Sequence, residues 1–288
     1  MRKTLFLVLF SAVIPFIVLS QDIEIETAPT WLIMEMGEKA YREKEFGEAL
    51  LLFREAKKRE GVYPEADLWI GLVFEADAEI ELAIKQLEAA YKDRNQLFIL
   101  AEKYTVLYKL AELYEQHGDY LAFQEKLQEI IKDDDDFNSV RMEALVRVLQ
   151  EKNLNDLLKL YRFSSDFSIE AHLKLGTFLH ESGRNPQAVN HLLFAVITVF
   201  SRGIEFLRKE DPEYAFEDVN GFFQLAGEYR ELEQYFANTA LFPCVYILGR
   251  ALKDTGHVST AQSLWKIVAD FCGDEGLQNR AEKDLRAL

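Results

Sequence analysis

The chain has 288 residues, with 49 acidic against 33 basic side chains and a formal charge of −16. That excess of acid excludes a nucleic-acid binder, which must neutralise phosphates with Lys and Arg. It also sets the chain against anionic lipid and favours neutral or basic partners.

Residues 1–20 are predicted to be a cleavable signal peptide. Arg2 and Lys3 precede an uncharged apolar run over 4–19, and Val18 and Ser20 suit a cut before Gln21. The run is 16 residues with Pro15 inside it, short for a membrane span. No cysteine follows the cut, which argues against a lipid anchor. The expected mature protein is periplasmic or secreted and leaves the membrane; a retained N-terminal anchor is the alternative.

From residue 30 onward the periodicity is helical and strand-like alternation is absent. Ile33, Met36, Gly37 and Ala40 share one stripe; Phe46, Ala49, Leu50, Phe53 and Ala56 share the next. Gly37, Ala49, Phe53 and Ala56 recur 34 residues later as Gly71, Ala83, Leu87 and Ala90. Leu107, Leu110, Ala111 and Tyr114 then lead to Gly118 and Leu127, with Phe123 where a small alanine is expected, so looser packing or a tilt is predicted there. Leu175, Gly176 and Leu179 lead to Gly183, Ala188, Leu192 and Ala195. Leu248, Gly249 and Leu252 lead to Gly256, Ala261 and Trp265. Ala188 and Ala261 are 73 residues apart, about two repeat lengths, so a divergent unit is expected between them.

These residues resemble the tetratricopeptide repeat (TPR) family, whose helix–turn–helix unit of about 34 residues carries small residues where helices cross. The expected fold is therefore all-α: a TPR-like solenoid, a right-handed superhelix of five to seven antiparallel helix pairs in one domain over 21–288. Clear repeats are placed at about 30–62, 64–96, 104–137, 169–202 and 242–274, with divergent stretches at 139–163 and 203–240 and a capping helix over 275–288. Lys44 and Ala78 stand where the family usually has a turn glycine. Pro29, Pro64 and Pro243 mark first-helix starts. Pro186 and Pro212 are read as opening second helices capped by Asn185 and Asp211.

The resemblance implies a concave face lined by first helices. Its residues here are Met34, Glu38, Tyr41 and Arg42; Leu68, Leu72 and Glu75; Tyr108, Glu112 and Glu115; Thr177 and His180; and Tyr246, Arg250 and Lys253. The lysine, asparagine and arginine set with which some family members clamp a terminal carboxylate is absent. Arg250 and Lys253 remain as an anion-holding pair or as ordinary surface charge.

No catalytic, metal or cofactor motif stands out. His172 and His180 are eight apart with Gly176 between them, which does not make a zinc site. Residues 133–136 are four aspartates, but Ser139 and Leu145 occupy the glycine and glutamate places of a calcium loop, so the run is read as a solvated turn. Cys244 and Cys272 fall at neighbouring ends of two antiparallel helices and could pair as a disulfide or stay separate buried thiols. The expected function is a non-enzymatic cell-envelope scaffold binding a peptide or helix, without cofactor or metal. The alternative is a carrier of a small apolar ligand, its pocket lined by aromatics of 203–240.

Overall fold

A computed structural model describes residues 25–288. The signal-peptide assignment lies outside the described residues. The chain divides into two compact units, one ending at Gly61 and one spanning Val62–Leu288. Among the described residues there are fifteen α-helices and no strand, and the hairpins of the second unit stack as a TPR-like α-solenoid.

In the first unit, α1 (Thr30–Arg42) and α2 (Phe46–Glu60) form an antiparallel hairpin. Arg59 ties its far end down, donating to the backbone oxygens of Ala28 at 2.5 Å and Ile25 at 2.7 Å.

The second unit begins with α3 (Pro64–Ala76) and α4 (Ile80–Lys92), followed by α5 (Glu102–His117) and α6 (Tyr120–Lys132). Then come α7 (Ser139–Glu151), α8 (Leu154–Leu160), α9 (Ile169–Glu181) and the 26-residue α10 (Asn185–Glu210). The chain ends with α11 (Val219–Ala226), α12 (Arg230–Asn238), α13 (Leu241–Asp254), α14 (Val258–Phe271) and α15 (Glu275–Arg286).

Five hairpins share one local construction. Each has a small residue in its first helix, at Gly37, Gly71, Ala111, Gly176 and Gly249. Sixteen residues later stands a large buried one: Phe53, Leu87, Leu127, Leu192 and Trp265. A methyl group placed on Gly37, Gly71, Gly176 or Gly249 would stand 2.5–2.7 Å from that partner side chain. The helices cross too closely for a Cβ at those four positions.

Seven residues after each small residue the backbone turns left-handed, with φ of 65° at Lys44, 61° at Ala78, 81° at Gly118, 74° at Gly183 and 89° at Gly256. The next N–H reaches back over the helix end in every case, for example Glu79 to the Phe74 carbonyl at 2.9 Å and Arg184 to the Leu179 carbonyl at 2.8 Å. This closure satisfies carbonyls that would otherwise be orphaned, and it favours glycine. Lys44 and Ala78 adopt the geometry despite carrying a Cβ. Lys44→Gly and Ala78→Gly, both at exposed positions, are each expected to raise stability by about 1 kcal/mol. A lower urea midpoint in either variant would contradict this.

The stacking order corrects the sequence reading of the divergent stretches. α4 packs on α5, α6 packs directly on α9, α10 packs directly on α13, and α15 covers α14. No repeat lies between α6 and α9 or between α10 and α13. The pairs α7/α8 and α11/α12 instead pack on α10, outside the row of hairpins. The 73-residue interval is thus one repeat plus an insertion: an extended α10 followed by α11 and α12. Phe123 does not loosen its repeat. It is 1% exposed and meets the ring of Phe178 on α9 edge-on at 5.6 Å.

α10 is long and apolar enough to cross a membrane, yet 72% of its most apolar window is buried in the fold. It is the helix on which both insertions and α13 converge. Pro186 lies in its first turn, while Asn185 is not its cap: the Asn185 side-chain oxygen lies 2.7 Å from His180 Nδ1. Pro212 opens no helix, since α11 starts at Val219 with Asp218 as its cap. Asp211 instead accepts the Glu213 N–H at 2.9 Å in a turn.

Three of the four aspartates do more than form a solvated turn, while Asp135 is exposed. Asp134 is buried and accepts from the Ser168 hydroxyl. Asp133 pairs with Lys103 at 2.6 Å, and Asp136 accepts the Ser164 N–H at 2.9 Å. Asp134 and Asp136 thus fasten the segment that returns from α8 to α9, and Asp133 ties the end of α6 to α5. Nearby, His172 of α9 and His191 of α10 meet Nδ1 to Nδ1 at 3.0 Å, with Phe137 stacked on His191 at 5.0 Å. His172 Nε2 has no partner. An orphaned acceptor is cheaper than an orphaned N–H here, so His172 donates through Nδ1 and His191 accepts.

Candidate binding clefts

Within the second unit, the predicted concave residues separate by register. Those three places before the small residue, Leu68, Tyr108 and Tyr246, point into packing. Leu68 and Tyr246 are buried. The half-buried Tyr108 hydroxyl donates to the Phe167 carbonyl at 2.7 Å and accepts the Ala171 N–H at 3.1 Å. Burial of its phenol pushes the Tyr108 pKa up. In the first unit Met34 takes the same buried place, Glu38 pairs with Arg42 at 3.4 Å, and Tyr41 packs against Phe46.

The acids at the next register positions are engaged in a ladder between hairpins. Glu75 pairs with Lys109 at 3.1 Å, Lys109 with Glu112 at 3.2 Å, Glu112 with Lys174 at 3.7 Å, and Lys174 with Glu170 at 3.6 Å. Burial pushes the Lys109 ammonium down, but Glu75 and Glu112 outweigh it and the net shift is upward. Lys109 and Lys174 occupy the same register position, two before Ala111 and Gly176. Sequence reasoning missed both, although that shared position was the available signal. Leu72 is half-buried beside this ladder and Glu115 is exposed.

Thr177, His180, Tyr246 and Arg250 come together. They line an open cleft of about 440 Å³ with Glu181, Pro243, Ile247, Asp254, Leu277 and Arg280. α9 and α13 supply its walls because α13 seats directly on the α9–α10 hairpin. His180 Nδ1 stands 3.8 Å from Asp254. The Tyr246 hydroxyl is fixed to Asp284 at 2.7 Å, and burial together with that carboxylate raises its pKa. Arg250 is exposed at the cleft and Arg280 lies over the Tyr246 ring at 5.7 Å. Lys253 does not join them; its ammonium sits over the Trp265 ring at 5.7 Å.

A second cleft of about 770 Å³ adjoins the first and shares Pro243, Leu277 and Arg280 with it. Phe223, Phe236, Phe242 and Phe271 form its apolar walls, with Glu233, Asp274 and Cys272 also lining it. Phe223 stacks on Phe271 at 4.8 Å and on Phe242 at 5.4 Å. The second insertion thus supplies one wall and the last hairpin the other. Its size falls in the range of clefts that receive small molecules or apolar side chains.

Both cysteines are free thiols. Cys244 points its sulfur at the Leu192 carbonyl, 3.5 Å away on α10, while Cys272 sits at the end of α14 facing the aromatic cleft. The structure therefore does not contain the disulfide considered from sequence, because Cys244 is directed into the α10 contact. Burial pushes both thiol pKa values up.

No family model matches the chain. It is 23% identical over 297 residues to an uncharacterized protein of Borreliella burgdorferi, covering 92% of this chain and 91% of that protein. It is 21% identical over 225 residues to an uncharacterized protein of Treponema pallidum, covering 75% of this chain. The chain spans 59% of that treponemal relative. Among solved structures, YrrB, a TPR protein with an unusual peptide-binding site, aligns at 14% identity and a TM-score of 0.45, covering 88% of this chain and 92% of that one. The hairpin architecture rests on this chain's own contacts.

Proposed function

We propose that this protein is a non-enzymatic scaffold or adaptor that holds an extended segment of a partner protein. The observation that carries the reading is the adjacency of the two clefts, which share Pro243, Leu277 and Arg280 in their walls. One cleft offers Thr177, His180 and Arg250 to a polar stretch. The other offers a wall of phenylalanines to an apolar anchor, the residue class that dominates binding energy at interfaces. We place the protein in the periplasm, on the charge pattern and apolar run of residues 1–20. A second reading, a carrier for a small apolar ligand, draws on the volume of the aromatic cleft alone.

A photo-reactive residue in place of Ile247, which lines the polar cleft, tests the proposal in the source organism. A discrete protein adduct is expected there, absent from a control at exposed Glu81 and lost when Arg250→Glu is added. An identical adduct pattern from both positions would overturn it. Extra small-molecule mass on the purified protein, with no adduct, would favour the carrier.

A further inference from the structure

The loop between α4 and α5 is longer than its repeat requires. Gly37 to Gly71 is 34 residues, whereas Gly71 to Ala111 is 40, and the six extra residues fall between α4 and α5. That loop carries the most exposed apolar residue described: Phe98 is 94% exposed, with Ile99 at 54% and Leu100 at 61%. Singly exposed apolar residues are ordinary, but three in succession on a built loop mark a contact surface.

The loop is built rather than slack. Leu97 beside it is buried, and a short 3-10 turn over Arg94–Gln96 leads into it. The Phe98 N–H donates to the Glu65 carboxylate. The Ile99 carbonyl accepts from the Glu102 N–H at 2.9 Å and the Leu100 carbonyl from the Lys103 N–H at 3.3 Å. These bonds hold the three side chains outward.

The same unit holds the cleft of about 770 Å³ walled by Phe223, Phe236, Phe242 and Phe271. The finger does not occupy it within one copy, since Phe98 is almost fully exposed. Anionic lipid is a poor seat for a finger on a chain of charge −16. We propose that Phe98, Ile99 and Leu100 of one copy insert into the aromatic cleft of a second copy, so that the protein assembles with itself. This rests on the reading of the cleft as a seat for apolar anchors. The contact joins two different surfaces, so it builds a ring, a filament or a reciprocal pair, depending on the rotation between copies. The like charge of the copies opposes contact, so added salt strengthens it.

Sedimentation velocity of the chain from Gln21, without the apolar run of residues 4–19, tests this across rising concentration. Species heavier than the monomer are expected, favoured by salt. Phe98→Asp removes the finger and is expected to weaken assembly at least about thirtyfold. Ala237→Trp, at an exposed position lining the cleft, blocks the seat and should do the same. Mixed together, the two variants should recover pairs, because each retains what the other lacks. A parent that stays monomeric, or a mixture that does not recover while the parent assembles, overturns the proposal. A synthetic peptide of residues 93–104 offered to the Phe98→Asp protein reads the cleft separately. If the peptide binds while the parent stays monomeric, self-assembly fails and the cleft reading stands; no binding sinks both. Phe98-dependent flotation with phosphatidylcholine vesicles in place of assembly also overturns it.

Discussion

Gly249→Ala is expected to lower the unfolding free energy by about 1–3 kcal/mol, read as a fall in the urea midpoint. In an ordinary helix the same change stabilises by about 1 kcal/mol, because alanine loses less backbone freedom on folding. Here the new Cβ would stand 2.5 Å from Trp265 Nε1 and 2.9 Å from its Cδ1. The indole is fully buried and its N–H donates to the Tyr246 carbonyl at 3.1 Å. It cannot swing aside without losing that bond and its packing. The third hairpin shows what relief looks like: it has Ala111 in place of the glycine and Leu127 in place of the tryptophan, both buried. Gly249→Ala combined with Trp265→Leu should therefore cost at least about 1 kcal/mol less than the sum of the single changes. A Gly249→Ala protein as stable as the parent would mean that the crossing is not sterically set.

Acidification should unfold the second unit through its histidine pair. Burial holds the His191 pKa down at about 4, and burial together with His191 holds His172 well below its ordinary value. In the unfolded chain both imidazoles take a proton near pH 6.5. Between about pH 6.5 and pH 4 the unfolded state binds more protons, so stability is complete above that window and falls as pH falls through it. His191 alone accounts for about 3 kcal/mol by pH 4. Carboxylates titrating in the same range relieve the net charge and push the other way, so the comparison needs a partner variant. His172→Leu with His191→Phe removes both polar groups while keeping a ring against Phe137. Its stability should fall by at least about 3 kcal/mol less than the parent's between pH 7 and pH 4, since His172 adds to the share of His191. Parallel pH profiles would show that the pair takes up protons equally in the folded and unfolded states, and so is not buried as described.

Small side chains made the hairpins legible in the sequence. Glycine and alanine at fixed spacing report helix crossings directly, because no larger residue fits there. Spacing alone could not separate an in-line repeat from an insertion. The 73 residues between Ala188 and Ala261 match two repeats by count, yet α13 packs on α10. What decides this is the apolar surface of α10, whose length and all-round burial mark it as a hub for several partners. A 3.6-residue period says which residues share a face, not which element covers it.

The candidate site was legible in part for a related reason. Thr177, His180 and Arg250 reach the polar cleft because their register positions face away from the neighbouring helix. Leu68 and Tyr108 do not, because theirs face toward it; Tyr246, at the same register position, is buried yet still forms part of the cleft wall. Arg280, Leu277 and the second-insertion phenylalanines escaped, since they belong to elements outside the repeat. The capping helix was expected only to cover the end of the stack, but its Arg280 also completes both clefts.

The α9–α10 hairpin seats directly on α6, with α7 and α8 displaced to the side, and the later elements of the second unit are placed through that contact. Arg184 reports that contact, donating to Gln124 at 2.7 Å across 60 residues of sequence. Spin labels at these two exposed or half-buried positions, in a chain with Cys244 and Cys272 replaced by alanine, measure it by pulsed electron resonance. A single short separation of about 20 Å is predicted, set by one label on α6 and one in the turn before α10, on helices in contact. An in-line pair of helices between α6 and α9 would add roughly 16–20 Å, and a separation that long would contradict the account.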